Sequence, residues 1–165
     1  LCQEVLALLN SQSGKQVGQG GWQVLKDRQH LLLYRERQAE GGHWLDREGA
    51  QLRLDSGTLE WHRRVWEGRF PRSEKEVLVD VRKLKFPLIC RPWQASDRFQ
   101  PLGMQGKKKL SDFMIDEKIP VNLKTGQRVL LSGEDIVWVI GRRLDERFKV
   151  EPDAREVWHF SFTPS

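Results

Sequence analysis

Three consecutive lysines, Lys107–Lys109, stand between a turn-rich stretch and the segment Leu110-Ser111-Asp112-Phe113-Met114. Leu110, Phe113 and Met114 fall at i, i+3 and i+4, so the spacing predicts an amphipathic helix over about Lys108–Lys118, closed by Pro120. Lysines at a helix start oppose the partial positive charge of the aligned peptide dipoles. A bound anion removes that conflict, because free backbone N–H groups also point there, and the natural candidate is a phosphate.

The charge distribution agrees. Residues 1–81 hold 12 basic and 12 acidic side chains, residues 121–165 hold 7 of each, and residues 82–120 hold 9 basic against 4 acidic. The whole formal excess of +5 therefore lies in one segment around the lysines. A charge run is commonly a solvated face. Here glycines and aromatics surround it, and the balance moves toward an anionic partner.

Other chemistries find no support. Gly103-Met104-Gln105-Gly106-Lys107-Lys108 has neither the glycine spacing nor the Ser/Thr of a phosphate-binding P-loop, and GxSxG, HExxH and GxGxxG do not occur. His30, His43, His62 and His159 never reach a chelating spacing, and Cys2 and Cys90 are isolated, so neither a metal site nor a disulfide framework is expected. Asp145 and Glu146 read as local ion-pair partners of Arg142, Arg143 and Arg147. Asp97 and Asp116 read as capping groups or partners of the lysines. No nucleophile stands beside an activating base.

The elements that must position these residues are mostly strands. Leu1, Val5, Leu8 and Leu9 have helical spacing, and Ser11–Gly21 reads as a loop. Trp22–Lys26 and His30–Arg35 form a predicted hairpin, Arg37–Gly42 a polar break. Gln51–Leu54 and Thr58–Trp66 flank the turn signal Asp55-Ser56-Gly57. Glu76–Asp80 and Phe86–Cys90 are further strands, the latter placed at an edge because of Pro87. Val129–Leu131 and Ile136–Ile140 flank Ser132-Gly133-Glu134-Asp135. The second of these is apolar on both faces, as a central strand is. Gly141–Lys149 reads as a charged turn and Glu156–Phe162 as the last strand. The fold class is α+β, in two small domains divided within Gly68–Glu74, over residues 1–75 and 76–165. No apolar run approaches the roughly 20 residues of a membrane helix. The chain starts at Leu1, as a piece of a longer protein would.

With these residues in view, the second half resembles the C-terminal domain of the tRNA(Ile)-lysidine synthetases. The matching residues are Arg91, Asp97-Arg98-Phe99, Pro101-Leu102-Gly103-Met104, Gly106 through Asp116, Lys118-Ile119-Pro120, Ile136 through Gly141, and Arg143 through Phe148. The chain departs from the family at Ser96, where a glycine is usual, and over Asn122–Arg128, where an arginine-rich stretch is common. Residues 1–75 resemble the end of the middle domain and its connection, mainly by position.

The resemblance implies a compact β-rich domain of β/β/α type with one short helix after a basic loop. It implies a cytoplasmic parent ligase that uses ATP, with magnesium, to adenylate the wobble cytidine of an isoleucine tRNA with a CAU anticodon and then attaches lysine. That chemistry belongs to an N-terminal domain with a Ser-Gly-Gly-x-Asp-Ser loop, which is absent here, so this segment is expected to need no cofactor and to grip tRNA, mainly its acceptor stem. A-form RNA is recognised largely through phosphates and 2′-hydroxyls. The candidates are Arg91, Arg98, Lys107, Lys108, Lys109, Arg142, Arg143 and Arg147, with Ser111 either capping the helix, the favoured reading, or touching a phosphate. Phe99, Phe113, Trp138 and Phe148 read as core. The competing reading is a structural or homodimerising domain of the same enzyme, without direct tRNA contact.

Overall fold

The computed structural model describes residues 2–12, 15–19, 22–27, 29–35, 41–48 and 50–165. The chain divides into two compact units, Leu1–Ala39 and Glu40–Ser165.

The first unit is a helix, α1 (Cys2–Leu9), and a three-stranded antiparallel sheet of β1 (Gln16–Gln19), β2 (Trp22–Asp27) and β3 (His30–Arg35), in that order. The helix and the hairpin were legible. Strand β1 was not, because Gln16-Val17-Gly18-Gln19 contains one apolar side chain and gives no alternation. Leu8, Val24 and Leu25 are buried. Lys26 Nζ donates to the Leu9 carbonyl at 3.2 Å, a cation on the free carbonyl end of α1. Most of the predicted break at Arg37–Gly42 lies outside the described residues.

The second unit stacks three layers. Its central sheet has five strands in the order β13 (Arg143–Leu144), β12 (Asp135–Val139), β11 (Arg128–Ser132), β8 (Leu88–Pro92) and β4 (His43–Leu45). A four-stranded sheet of β5 (Gln51–Leu54), β6 (Gly57–Val65), β14 (Glu156–Pro164) and β7 (Glu76–Asp80) covers one face. Between the two sheets pack Leu59, Trp61, Val79 and Phe160 from one side and Leu88, Cys90, Leu130 and Trp138 from the other. The opposite face of the central sheet presents Val129, Leu131, Ile136 and Val139. These meet Leu110, Phe113 and Met114 of α2 (Leu110–Asp116), together with Phe99 and Ile119. A second short helix, α3 (Val121–Lys124), follows Pro120. The architecture is thus α+β and β-rich, with a β/β/α layering.

Three expectations change. The chain does not divide at 75/76. Strand β6 pairs with β14 from Gly57↔Pro164 to Val65↔Glu156, so residues 51–65 cannot leave the unit that holds 76–165 without opening its outer sheet. Strand β8 is not an edge, since it lies between β11 and β4. Pro87 precedes the strand, so its missing N–H is not required by any ladder. The segment Gly141–Lys149 is more than a turn, holding β13 and a one-turn 3₁₀ helix over Glu146–Phe148.

Strand β12 carries a bulge. Leu130 faces Trp138 and Leu131 faces Ile136, leaving Val137 as the extra residue. Val137 and Trp138 therefore both turn toward the inter-sheet core, and both are fully buried. The Val137 carbonyl accepts a hydrogen bond from Asp145 N at 2.8 Å. This links the centre of the sheet to the loop described next.

Candidate nucleic-acid interface

The basic loop between β8 and α2 is held at three places by carboxylates. At its start, Asp97 accepts from Arg91 Nη1 at 2.9 Å and Nη2 at 2.7 Å, and from Gln94 N at 2.7 Å. This is a two-pronged guanidinium–carboxylate pair with the Asp97 side chain 7% exposed. In its middle, the fully buried Asp145 accepts from Gln100 N and Arg147 N at 2.9 Å each, and from Arg147 Nε and Nη2 at 3.0 Å each. At the tip, Glu146 accepts from Gly103 N at 2.8 Å and pairs with Lys149. The Lys149 ammonium, and after it the Gly103 N–H, hold the Glu146 carboxyl below the usual carboxylate range. Asp145 in turn raises the already high pKa of Arg147.

Gly103 sits at φ 83°, with Met104 N bonded to Pro101 O at 2.9 Å. That is a tight turn whose third position favours glycine. Ser96, standing where the family usually has glycine, is not among the residues with positive φ, so serine fits there without strain.

The lysines are not where the sequence put them. Lys108 and Lys109 form β10, a two-residue strand antiparallel to β9 (Arg98–Phe99), with Lys108 opposite Phe99 and Lys109 opposite Arg98. The helix starts at Leu110, two residues past the expected start, and is seven residues long. Leu110 N donates to the Asp97 carbonyl at 2.9 Å, which draws the chain into the ribbon before it can coil. Lys109 is the cap residue and makes no side-chain cap. Ser111 lies inside the first turn and caps nothing either, so the favoured capping reading fails.

The ribbon separates the cations by face. Phe99 is buried against Phe113 in an edge-to-face contact, with ring centroids 5.1 Å apart. Its partner Lys108 pairs with Asp116. Arg98 and Lys109, direct cross-strand partners on the other face, are both exposed, as is neighbouring Lys107. Among the described residues no ion pair or side-chain hydrogen bond joins these three to the protein.

The remaining candidates divide differently. Arg91 is committed to Asp97, and Arg147 to Asp145 and Asp135. Arg143 reaches Glu117 at 3.4 Å and lies 5.7 Å from the Phe113 ring centre. Arg142 is half-buried. The expected pairing of Asp145 with Arg147 is present, but Glu146 pairs with Lys149 instead of Arg142 or Arg143. Asp97 pairs with Arg91 instead of a lysine. Phe99, Phe113, Trp138 and Phe148 are all core.

Sequence reasoning missed the anchoring role of Asp145, although a signal was present. Asp80-Val81-Arg82 and Asp145-Glu146-Arg147 are the same device: the aspartate caps a 3₁₀ helix through the N–H two residues on, and the arginine folds its guanidinium back onto that carboxylate. Among the described residues no group of three or more His, Cys, Asp or Glu is placed to hold a metal ion, and no helix is long and apolar enough to cross a membrane.

The β/β/α layering of this unit is that of a known class of C-terminal domains. Residues 88–161 match the family model of the TilS substrate C-terminal domain, and residues 1–36 match that of the TilS substrate binding domain. A tRNA(Ile)-lysidine synthase of Bacteroides thetaiotaomicron is 37% identical over 90% of this chain and 33% of its own length. That of Parabacteroides distasonis is 33% identical over 96% and 37%. A crystal structure of a TILS C-terminal domain shares the fold, with a TM-score of 0.64, 21% identity, and coverage of 74% of this chain and 97% of that one. The chain belongs to the tRNA(Ile)-lysidine synthase family as its C-terminal region, and it spans about a third of the length of these curated relatives.

Proposed function

We propose that this chain is the tRNA-gripping part of a lysidine-forming ligase and that it holds RNA through phosphates, chiefly those of the acceptor stem. The observation that supports this most is the Arg98–Lys109 pair. Two cations directly opposite across a ribbon repel, costing roughly 0.2–1 kcal/mol. Both are exposed, and neither has an ion-pair partner among the described residues. A phosphate between them turns that repulsion into two charge-assisted hydrogen bonds, with the guanidinium and the ammonium donating. Lys107 extends the positive surface along the strand direction. Arg91, Arg147, Asp97 and Asp145 act behind this surface by fixing the loop.

In this reading the chain supplies no group to the covalent chemistry. ATP, magnesium and the adenylation of the wobble cytidine belong to the rest of the whole protein, because no residue set here is suited to cradle a triphosphate. The competing structural reading draws on one observation: Arg91, Lys108, Arg143 and Arg147 are spent on internal ion pairs.

Binding of an isoleucine tRNA transcript with a CAU anticodon, followed across a salt series, tests the proposal. Each lost phosphate contact lowers the log–log salt slope by about 0.7–0.9. Arg98→Ala and Lys109→Ala are expected to lower it by about one contact each, with the fold retained. A slope unchanged in the double variant, or no tRNA binding by the intact chain, refutes the clamp. A concentration-dependent dimer without tRNA binding supports the structural reading.

A further inference from the structure

The outer face of the four-stranded sheet joins two histidines that lie 97 positions apart in the sequence. His62 on β6 and His159 on β14 are direct cross-strand partners. His62 Nε2 and His159 Nδ1 are 3.4 Å apart, with the rings nearly perpendicular at 73° and their centroids at 4.8 Å. Two nitrogens held at 2.0–2.1 Å by one tetrahedral zinc ion stand about 3.3 Å from each other. The pair is spaced for a hydrogen bond between the rings and equally for the bite of one shared metal ion.

A third group sets the tautomer. Glu76 Oε2 on β7 lies 3.4 Å from His159 Nε2, the ring nitrogen turned away from His62. The contact is electrostatic, without a hydrogen bond, yet a carboxylate there favours the proton on Nε2 and leaves the Nδ1 lone pair facing His62, on the side where a metal ion would sit. The charged groups on this face are Arg53 on β5, Glu60 and Arg64 on β6, and Glu76 and Asp80 on β7; the β14 neighbours Val157 and Ser161 are uncharged.

We propose that His62 and His159 form a binding site for a divalent transition-metal ion of the zinc or nickel type, oriented by Glu76. Water completes the coordination, since no third described side chain closes a three-ligand set. The site is independent of the tRNA reading.

Titration of the whole chain with zinc chloride by calorimetry at pH 7, in a non-chelating buffer, tests it. One equivalent is expected to bind. His62→Gln and His159→Gln each weaken binding at least tenfold, and Glu76→Gln weakens it about tenfold. His30→Gln leaves it unchanged. His62 is exposed, so its variant does not disturb the core. In the unaltered chain, zinc is expected to shift the ring-nitrogen resonances of His62 Nε2 and His159 Nδ1. No zinc binding, affinity retained in both histidine variants, or a shift at His159 Nε2 instead of Nδ1 overturns the proposal.

Discussion

Replacing Asp145 by alanine is the perturbation whose cost the structure defines best. The carboxylate is fully buried and accepts four N–H groups at 2.9–3.0 Å. Alanine leaves the Gln100 and Arg147 backbone N–H groups without that acceptor and takes away one of the two carboxylates on the Arg147 guanidinium. Breaking a buried ion pair from one side costs about 3–5 kcal/mol. The Arg147 side chain is 32% exposed and keeps Asp135, so water and that partner recover part of the loss. The expected cost is therefore about 3 kcal/mol, a change of roughly two decades in the unfolding constant. Asp145→Asn, which keeps an acceptor oxygen but no charge, is expected to lose about half of that. Urea unfolding of the whole chain followed by tryptophan fluorescence reads the loss, and amide exchange at Gln100 and Arg147 localises it. A loss below about 1 kcal/mol, with protection at Gln100 unchanged, would show that Asp145 does not anchor the loop.

Gly57→Ala is expected to destabilise by about 2 kcal/mol or more, because its Cβ would fall 2.3 Å from the Thr163 carbonyl oxygen at φ 152°; a thermal melt checks it. Asp80 is held below its ordinary pKa of 3.8, first by the Arg82 side chain. Its contribution is therefore present above about pH 4 and lost as the pH falls through the depressed folded value. Urea midpoints between pH 6 and pH 2.5 should fall less steeply in Asp80→Asn than in the unaltered chain. Arg63→Ala, which removes an exposed pair with Glu156, is expected to change stability by less than about 1 kcal/mol in the same urea assay.

The sequence showed the strands wherever side chains alternate or a turn signal separates apolar runs. Thr58–Trp66 and the hairpin around Gly133 are such cases. It did not show β4 or β10, three and two residues long, because strands that short exist only through their partners. Apolar spacing alone draws the lysines into the helix, and that spacing is real from Leu110 onward. What cut the helix short was a long-range bond from Leu110 N to Asp97 O, invisible to any local pattern. Similarly, the excess charge pointed to the right segment but could not say which cations were spent. Arg91 and Arg98 look alike in the sequence; a carboxylate six residues on claims the first. His62 and His159 have no chelating spacing along the chain; only the pairing of β6 with β14 brings them together across the sheet.

The place of β14 bears on how the protein comes to be made. This strand, latest of the described elements to leave the ribosome, inserts between β6 and β7 and supplies Trp158 and Phe160 to the inter-sheet core. Until residues 156–164 emerge, β6 and β7 have open edges where β14 belongs, and half of the core has no lid. Folding of the Glu40–Ser165 unit is therefore expected to wait for this strand, and its nascent chain to depend on chaperones until the strand arrives.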